Sequence, residues 1–151
     1  MMEMWTSPPS PYLIAQAAVL ILSGYRFVLQ FGQISHFLKQ SQVWRGALLL
    51  SDLLLAKPEL VKGKKVLELA AGTGLTSIVA ATLAESVTAT DVDRGEILPL
   101  IKKNADSNKG ILARPENFSV RELDFFWENW PPDLEERVTS SEVTRLLPIL
   151  D

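Results

Sequence analysis

Between Val66 and Leu123, short apolar runs alternate with longer segments in which apolar residues recur every three or four positions. The short runs predict buried strands, and the longer segments predict helices that bury one face. Pro99 is compatible with the second helix only in its first turn, so regular helix is expected from about Leu98. In chain order the pattern predicts a strand over Val66–Leu69, a helix over Leu75–Ala84, a strand over Ser86–Thr90, a helix over Glu96–Ser107 and a strand over Asn117–Leu123.

Strands that alternate with helices are typical of an α/β protein with a Rossmann-like, doubly wound parallel sheet. Right-handed crossovers then place the second and third strands on one side of the first. Before this unit, the spacing of Trp44, Leu48 and Leu55 predicts a helix over 42–55. After it the pattern weakens, and the capping box formed by Thr139 and Glu142 predicts a short helix there.

The N-terminal part of the chain carries an unusual apolar segment, residues 12–25. Its length of about 14 residues is below the roughly 20 needed to cross a bilayer. An acidic residue, Glu3, precedes it where a signal peptide has basic residues, and Arg26 follows it. We therefore predict a buried or interfacial helix, with a weak membrane anchor as the alternative. The chain is divided into this divergent segment, residues 1–41, and a second part, residues 42–151.

Composition excludes some classes of function and says less about the fold. The 151 residues carry a net charge of −3, which argues against direct binding of nucleic acid through a basic face. The chain has no cysteine, so a disulfide framework or a cysteine-based zinc site is impossible. The single histidine, His36, has no evident partner, and no metal site is predicted.

Candidate binding residues collect where the predicted strands end, which is where ligands bind in such sheets. Gly72 and Gly74 lie in the turn after the first strand and allow a ligand to approach the backbone. Asp91 ends the second strand, 17 residues after Gly74, a separation suited to an acid that binds ribose hydroxyls. Asp124 follows the third strand and is placed to accept a hydrogen bond from an adenine amino group, with Phe125 or Phe126 against the face of the ring.

Glu68 is the residue that distinguishes between the possible nucleoside ligands. A dinucleotide site places a diphosphate at this turn, and a carboxylate just before the turn would repel it. S-adenosylmethionine instead brings an ammonium and a sulfonium group and no phosphate, so it is the predicted cofactor. The alternative for Glu68 is a strand-end acid that caps nearby backbone N–H groups.

Four stretches, "VWRGALLLSDLLL", "GKKVLELAAGTGLTSIVAA", "VTATDVD" and "VRELDFF", resemble the seven-strand S-adenosylmethionine-dependent methyltransferases, in particular the branch that methylates lysine in protein substrates. The resemblance covers residues 42–125 and implies a protein partner that presents a lysine side chain. It implies that the methionine part of the cofactor is lined by Glu68, Ala70, Gly72 and Gly74, the ribose is bound by Asp91 and the adenine by Asp124, and Trp44 lies beside the cofactor. Trp44 is equally interpretable as a core anchor of its helix. Most relatives have glycine where this chain has Ala70, so weakened cofactor binding is expected.

The same resemblance predicts an incomplete sheet, containing only the first three of seven strands. The family's fourth strand, followed by an acid and a tyrosine that line the lysine channel, is expected to be missing. The first strand would then be an exposed apolar edge, which "RFVLQF" could fill, and the fold would be marginal unless a partner covers that side. No catalytic base is assigned. The predicted activity is protein-lysine methylation in the nucleus or cytoplasm; the alternative is a non-catalytic cofactor-binding remnant or a membrane-attached interaction protein.

Overall fold

The computed structural model describes residues 16–22, 25–31, 45–124, 126–139 and 143–146. Its elements are, in order, β1 (Gln16–Leu22), β2 (Tyr25–Phe31), α1 (Arg45–Ala56), β3 (Lys65–Glu68), α2 (Leu75–Ala81), β4 (Ser86–Asp91), α3 (Ile97–Ser107), β5 (Phe118–Glu122), α4 (Pro132–Thr139) and β6 (Val143–Leu146). Short 3-10 helices lie at Pro58–Leu60, Lys109–Ile111 and Pro115–Asn117.

Four strands form a parallel sheet in the order β5-β4-β3-β6. The α/β class, the parallel sheet and the placement of β4 and β5 on one side of β3 are as the sequence predicts. Pro99 lies in the first turn of α3, as its missing N–H requires.

Each face of the sheet is covered by helices because neighbouring residues of β3 point to opposite faces. Val66 joins a buried cluster with Ile78 and Val79 of α2 and with Leu54 of α1. Leu67 belongs to a second cluster, with Leu134 of α4. These apolar side chains are almost fully buried, so β3 is the central element around which the core is built.

The prediction of a three-stranded sheet with β3 exposed at its edge is wrong. β6 pairs in parallel with β3, from Lys65 opposite Val143 to Glu68 opposite Leu146. The Leu69 N–H continues the ladder by donating to the Leu146 carbonyl at 3.0 Å. The helix predicted from the capping box is therefore a strand over Val143–Leu146. A buried apolar strand such as β3 gains more from a strand that satisfies its backbone groups than the four-residue segment would gain from forming a helix.

The N-terminal predictions also need correction. The apolar segment does not form a helix over Gln16–Leu22, since these residues form β1, which pairs antiparallel with β2. "RFVLQF" is a strand, as its composition suggests, but it belongs to β2 and not to the edge of β3. No helix among the described residues has the length and apolar character required to cross a membrane.

Candidate functional site

The turn between β3 and α2 has a backbone shape that few side chains accept. Ala70, Gly72 and Gly74 all have left-handed φ angles, of 54°, 59° and 82°. Glycine adopts this region freely, whereas alanine at Ala70 is strained there. A side chain built on Gly72 would meet no atom of the described residues within 4 Å, so these residues leave the space in front of the turn open to a ligand.

Asp91 connects this turn to the end of β4 by hydrogen bonds. One carboxylate oxygen accepts the Gly72 N–H at 2.7 Å, and the other accepts the Val92 N–H at 2.7 Å. A further bond joins the Ala71 N–H to the Thr90 carbonyl at 2.9 Å. Burial raises the pKa of the Asp91 carboxyl, while the bonds from Gly72 and Val92 act to lower it. Each carboxylate oxygen has a second lone pair, so Asp91 can still accept ligand hydroxyls.

Glu68 lies beneath the turn and is only 5% exposed. Its carboxylate accepts a hydrogen bond from the Ser77 hydroxyl in α2. Burial raises the pKa of the Glu68 carboxyl to about 7, against the opposing hydrogen bonds from Ser77 and Thr76. These contacts connect the end of β3 to the first turn of α2. Direct contact between Glu68 and a cofactor stays a prediction.

Asp124 is placed at the same edge of the sheet as Asp91. β5 runs parallel to β4 with Glu122 opposite Asp91, so Asp124 follows just beyond that pair. The Asp124 carboxylate accepts the Phe126 N–H at 3.0 Å and lies 3.8 Å from the Arg94 guanidinium. The Phe126 side chain is 91% exposed, which leaves its ring available to a flat ligand.

 Both Trp44 and Phe125 lie outside the described residues.

Several residues that hold the turn in place are not evident from the motif. Asn104 of α3 donates to the Thr73 carbonyl at 2.9 Å, and the Thr90 hydroxyl donates to the Glu68 carbonyl at 2.7 Å. Ile101 of α3 packs so closely on Gly74 that an added methyl group would lie 2.9 Å from it. Asn104 and Ile101 are both fully buried. The sequence could have indicated Asn104, because it is a polar residue on the face of α3 that is buried.

The residues present fit S-adenosylmethionine. The site combines acceptors for hydroxyl and amino groups, Asp91 and Asp124, with open space over Gly72. The fold and this arrangement are typical of a Rossmann-like protein that binds a nucleoside ligand.

Comparison with known proteins identifies the family to which the chain belongs. The sequence profile of a family described as lysine methyltransferase matches residues 35–145, and the chain belongs to this family. S-adenosylmethionine is the cofactor of the class, which confirms the cofactor prediction. The resemblance predicted from the four sequence stretches is likewise confirmed.

Two curated relatives and one solved structure illustrate the match. Methyltransferase-like protein 22 of Mus musculus is 44% identical over 102 residues, which are 67% of this chain and 26% of that protein. Protein N-terminal and lysine N-methyltransferase EFM7 of Gibberella zeae is 43% identical over 65 residues, 42% of this chain and 24% of that protein. The 16S rRNA N2 G1207 methyltransferase of T. thermophilus, solved with AdoMet and guanosine, superimposes with a TM-score of 0.52 at 25% identity, over 68% of this chain and 27% of that one. The chain thus spans about a quarter of the length of these curated relatives.

Proposed function

We propose that this chain forms the cofactor-binding part of a methyltransferase that modifies lysine side chains of a protein substrate. The observation that carries the proposal is Asp91, whose two carboxylate oxygens are held by the Gly72 and Val92 N–H groups beside an open turn. The protein substrate is supported by the family and by the names of the curated relatives.

The chain's own residues have distinct tasks in this proposal. Asp91 accepts the ribose hydroxyls, and Asp124 accepts the adenine amino group with Phe126 against the ring. Gly72 and Ala70 bring backbone close to the methionine part, and Glu68 holds the turn against α2. When bound, S-adenosylmethionine supplies a methyl group on a sulfonium that is already reactive. The remaining contribution of the protein is therefore alignment and exclusion of water.

Calorimetric titration with S-adenosylhomocysteine tests the site. In Asp91→Asn an amide replaces one acceptor oxygen, and the charge that strengthens bonds to ribose hydroxyls is lost. Since hydrogen bonds to charged groups contribute about 1.5–3 kcal/mol, affinity should fall about 10- to 100-fold. Asp93→Asn is the matched control, because Asp93 lies exposed two residues after Asp91, in the loop that follows β4. Thermal unfolding of both variants checks that the turn is intact.

Equal affinity in wild type and Asp91→Asn would remove Asp91 from the site. Binding of a nicotinamide dinucleotide in preference to S-adenosylhomocysteine would refute the cofactor assignment. For the substrate, the chain is incubated with tritiated S-adenosylmethionine and a cell extract. Label on lysine residues of protein, lost with Asp91→Asn, supports the proposal, whereas label confined to RNA contradicts it.

A further inference from the structure

Residues 122–131, "ELDFFWENWP", combine aromatic and acidic side chains at the end of β5. This aromatic segment contains four aromatic residues and three acids, and it contains no lysine or arginine. In the proposed function, Glu122, Trp127 and Glu128 have no task in cofactor binding. The chemistry of these three side chains therefore points to another ligand.

The aromatic segment is held at both ends. Near its start, the Trp127 N–H donates to the Asp124 carbonyl at 3.1 Å, which closes a turn. At its end, Trp130 packs against the buried cluster that contains Leu123 and Leu134. A surface element that is fixed in this way loses little conformational freedom when a partner docks, and this favours binding.

Three side chains of the segment are accessible to a partner. The Trp127 side chain is 37% exposed, and Glu122 and Glu128 are exposed as well. Among the described residues, neither of these two acids forms an ion pair. The face of an indole ring attracts a cation, and a carboxylate pairs with one. Both kinds of group therefore favour the same partner, a lysine or arginine side chain.

Charge is also separated between the two edges of the parallel sheet. At the carboxyl ends of β4 and β5, residues 91–96 and 122–131 carry six acids and one base. The segments that lead into β3, β4 and β5 carry six bases and three acids, in residues 57–65, 82–85 and 108–117. The edge with the cofactor site is therefore negative and the opposite edge positive. Such a field attracts a cationic segment to the cofactor edge and repels an anionic one.

We propose that the aromatic segment docks a basic segment of the substrate protein, rich in lysine and arginine, beside the lysine that accepts the methyl group. Basic side chains of this partner pair with Glu122 and Glu128, and one of them lies on the face of Trp127. The inference rests on the proposed function, because it specifies what surrounds the acceptor lysine. A second copy of this chain would have to dock through its positive edge, and such head-to-tail contacts produce rings or open filaments.

Fluorescence anisotropy with three labelled dodecapeptides tests the proposal on the full chain. Each peptide has one central lysine, and its flanking positions alternate serine with arginine, glutamine or glutamate. The arginine peptide is expected to bind at least about tenfold more tightly than the glutamine peptide, and the glutamate peptide is expected to bind most weakly. Added salt should narrow these differences, because it screens exposed charges.

Two double variants with the same change in net charge locate the contact. Glu122→Gln with Glu128→Gln should weaken binding of the arginine peptide about fivefold, as expected for loss of two exposed ion pairs. The matched control is Glu85→Gln with Glu116→Gln, which removes two exposed acids from the opposite edge of the sheet. The control should change the affinity by less than about twofold, because salt screens distant charges.

A second pair of variants tests the aromatic face of Trp127. Trp127→Leu keeps an apolar side chain and removes the ring, so the arginine peptide should bind about threefold more weakly. Trp127→Phe should retain most of the affinity, because phenylalanine also presents an aromatic face. Equal affinity of Trp127→Leu and wild type would overturn the role of Trp127.

Equal affinity for the three peptides, or equal losses in the two double variants, would overturn the proposal. Concentration-dependent self-association that disappears in Glu122→Gln with Glu128→Gln would assign the surface to a second copy instead. Calorimetry with S-adenosylhomocysteine separates this result from the proposed function. Cofactor binding without peptide binding would refute the docking surface alone, whereas peptide binding without cofactor binding would refute the proposed function and leave the docking of a basic segment standing.

Discussion

Glu68 is a carboxyl group enclosed by protein at the point where β3 meets α2. Its main partner is the Ser77 hydroxyl, and its side chain is almost without solvent. Burial disfavours the ionised form, which raises the pKa from 4.5 to about 7. Replacing Glu68 with glutamine keeps an oxygen that can accept the Ser77 bond and removes the group that titrates.

The pKa of Glu68 sets both the sign and the size of its pH-dependent contribution to the unfolding free energy. Because the folded pKa lies above the unfolded one, the folded chain binds more protons between these two pH values. The contribution of Glu68 to stability is therefore fully present below pH 4.5 and is lost as the pH rises through 7. At about 1.4 kcal/mol per pKa unit, the total loss is about 3 kcal/mol, most of it between pH 5 and pH 8.

Urea unfolding followed by tryptophan fluorescence at a series of pH values measures this effect. Wild type should lose about 2–3 kcal/mol more of its unfolding free energy than Glu68→Gln between pH 5 and pH 8. Asp91 titrates in both proteins, so its contribution largely cancels in the comparison. Glu85→Gln, at an exposed position, should follow wild type. Parallel pH profiles for wild type and Glu68→Gln would show that burial does not shift Glu68, and the reasoning would fail.

Other substitutions test the turn and the core by chemical denaturation. Ala70→Gly should raise the unfolding free energy by about 0.5–1 kcal/mol, because relief of the left-handed φ exceeds the added chain entropy; a loss would mean that Ala70 is unstrained. Gly74→Ala should cost about 2 kcal/mol or more of unfolding free energy, since the new methyl group would meet Ile101 at 2.9 Å in addition to the strain of the left-handed φ. Gly72→Ala has only that strain and should cost about 1 kcal/mol. Equal costs for the two variants would argue against the contact with Ile101. Ser51→Ala should add about 1 kcal/mol to the unfolding free energy, because the buried Ser51 hydroxyl has no hydrogen-bond partner among the described residues. Destabilisation would instead indicate such a partner.

The central α/β unit is predictable from sequence because its signals are local and agree with one another. The apolar run at Val66, the glycines of the turn and the helix pattern that includes Ile101 each point to the same topology. The acid at the end of β4 is predictable for the same reason, since the distance along the chain from Gly74 to Asp91 is set by one helix and one strand. The backbone bonds that hold Asp91 in place are not evident from such spacing.

The predictions from sequence are wrong where the pairing of strands decides the secondary structure. Val143–Leu146 has only four residues, so its state depends on the open edge of β3 rather than on its own propensity. In the N-terminal segment, overall length and hydropathy favoured a helix. The dipeptide Ser23-Gly24, which separates two apolar runs of similar length, was the neglected indication of a hairpin.

Phe27 of β2 shows how the N-terminal hairpin relates to the rest of the chain. Its side chain has no solvent exposure and belongs to the same buried cluster as Leu54 and Val66. An isolated two-stranded hairpin is only marginally stable in water. The β1–β2 pair is therefore expected to melt together with the parallel sheet, in one cooperative transition, and amides on both should share the slowest hydrogen exchange.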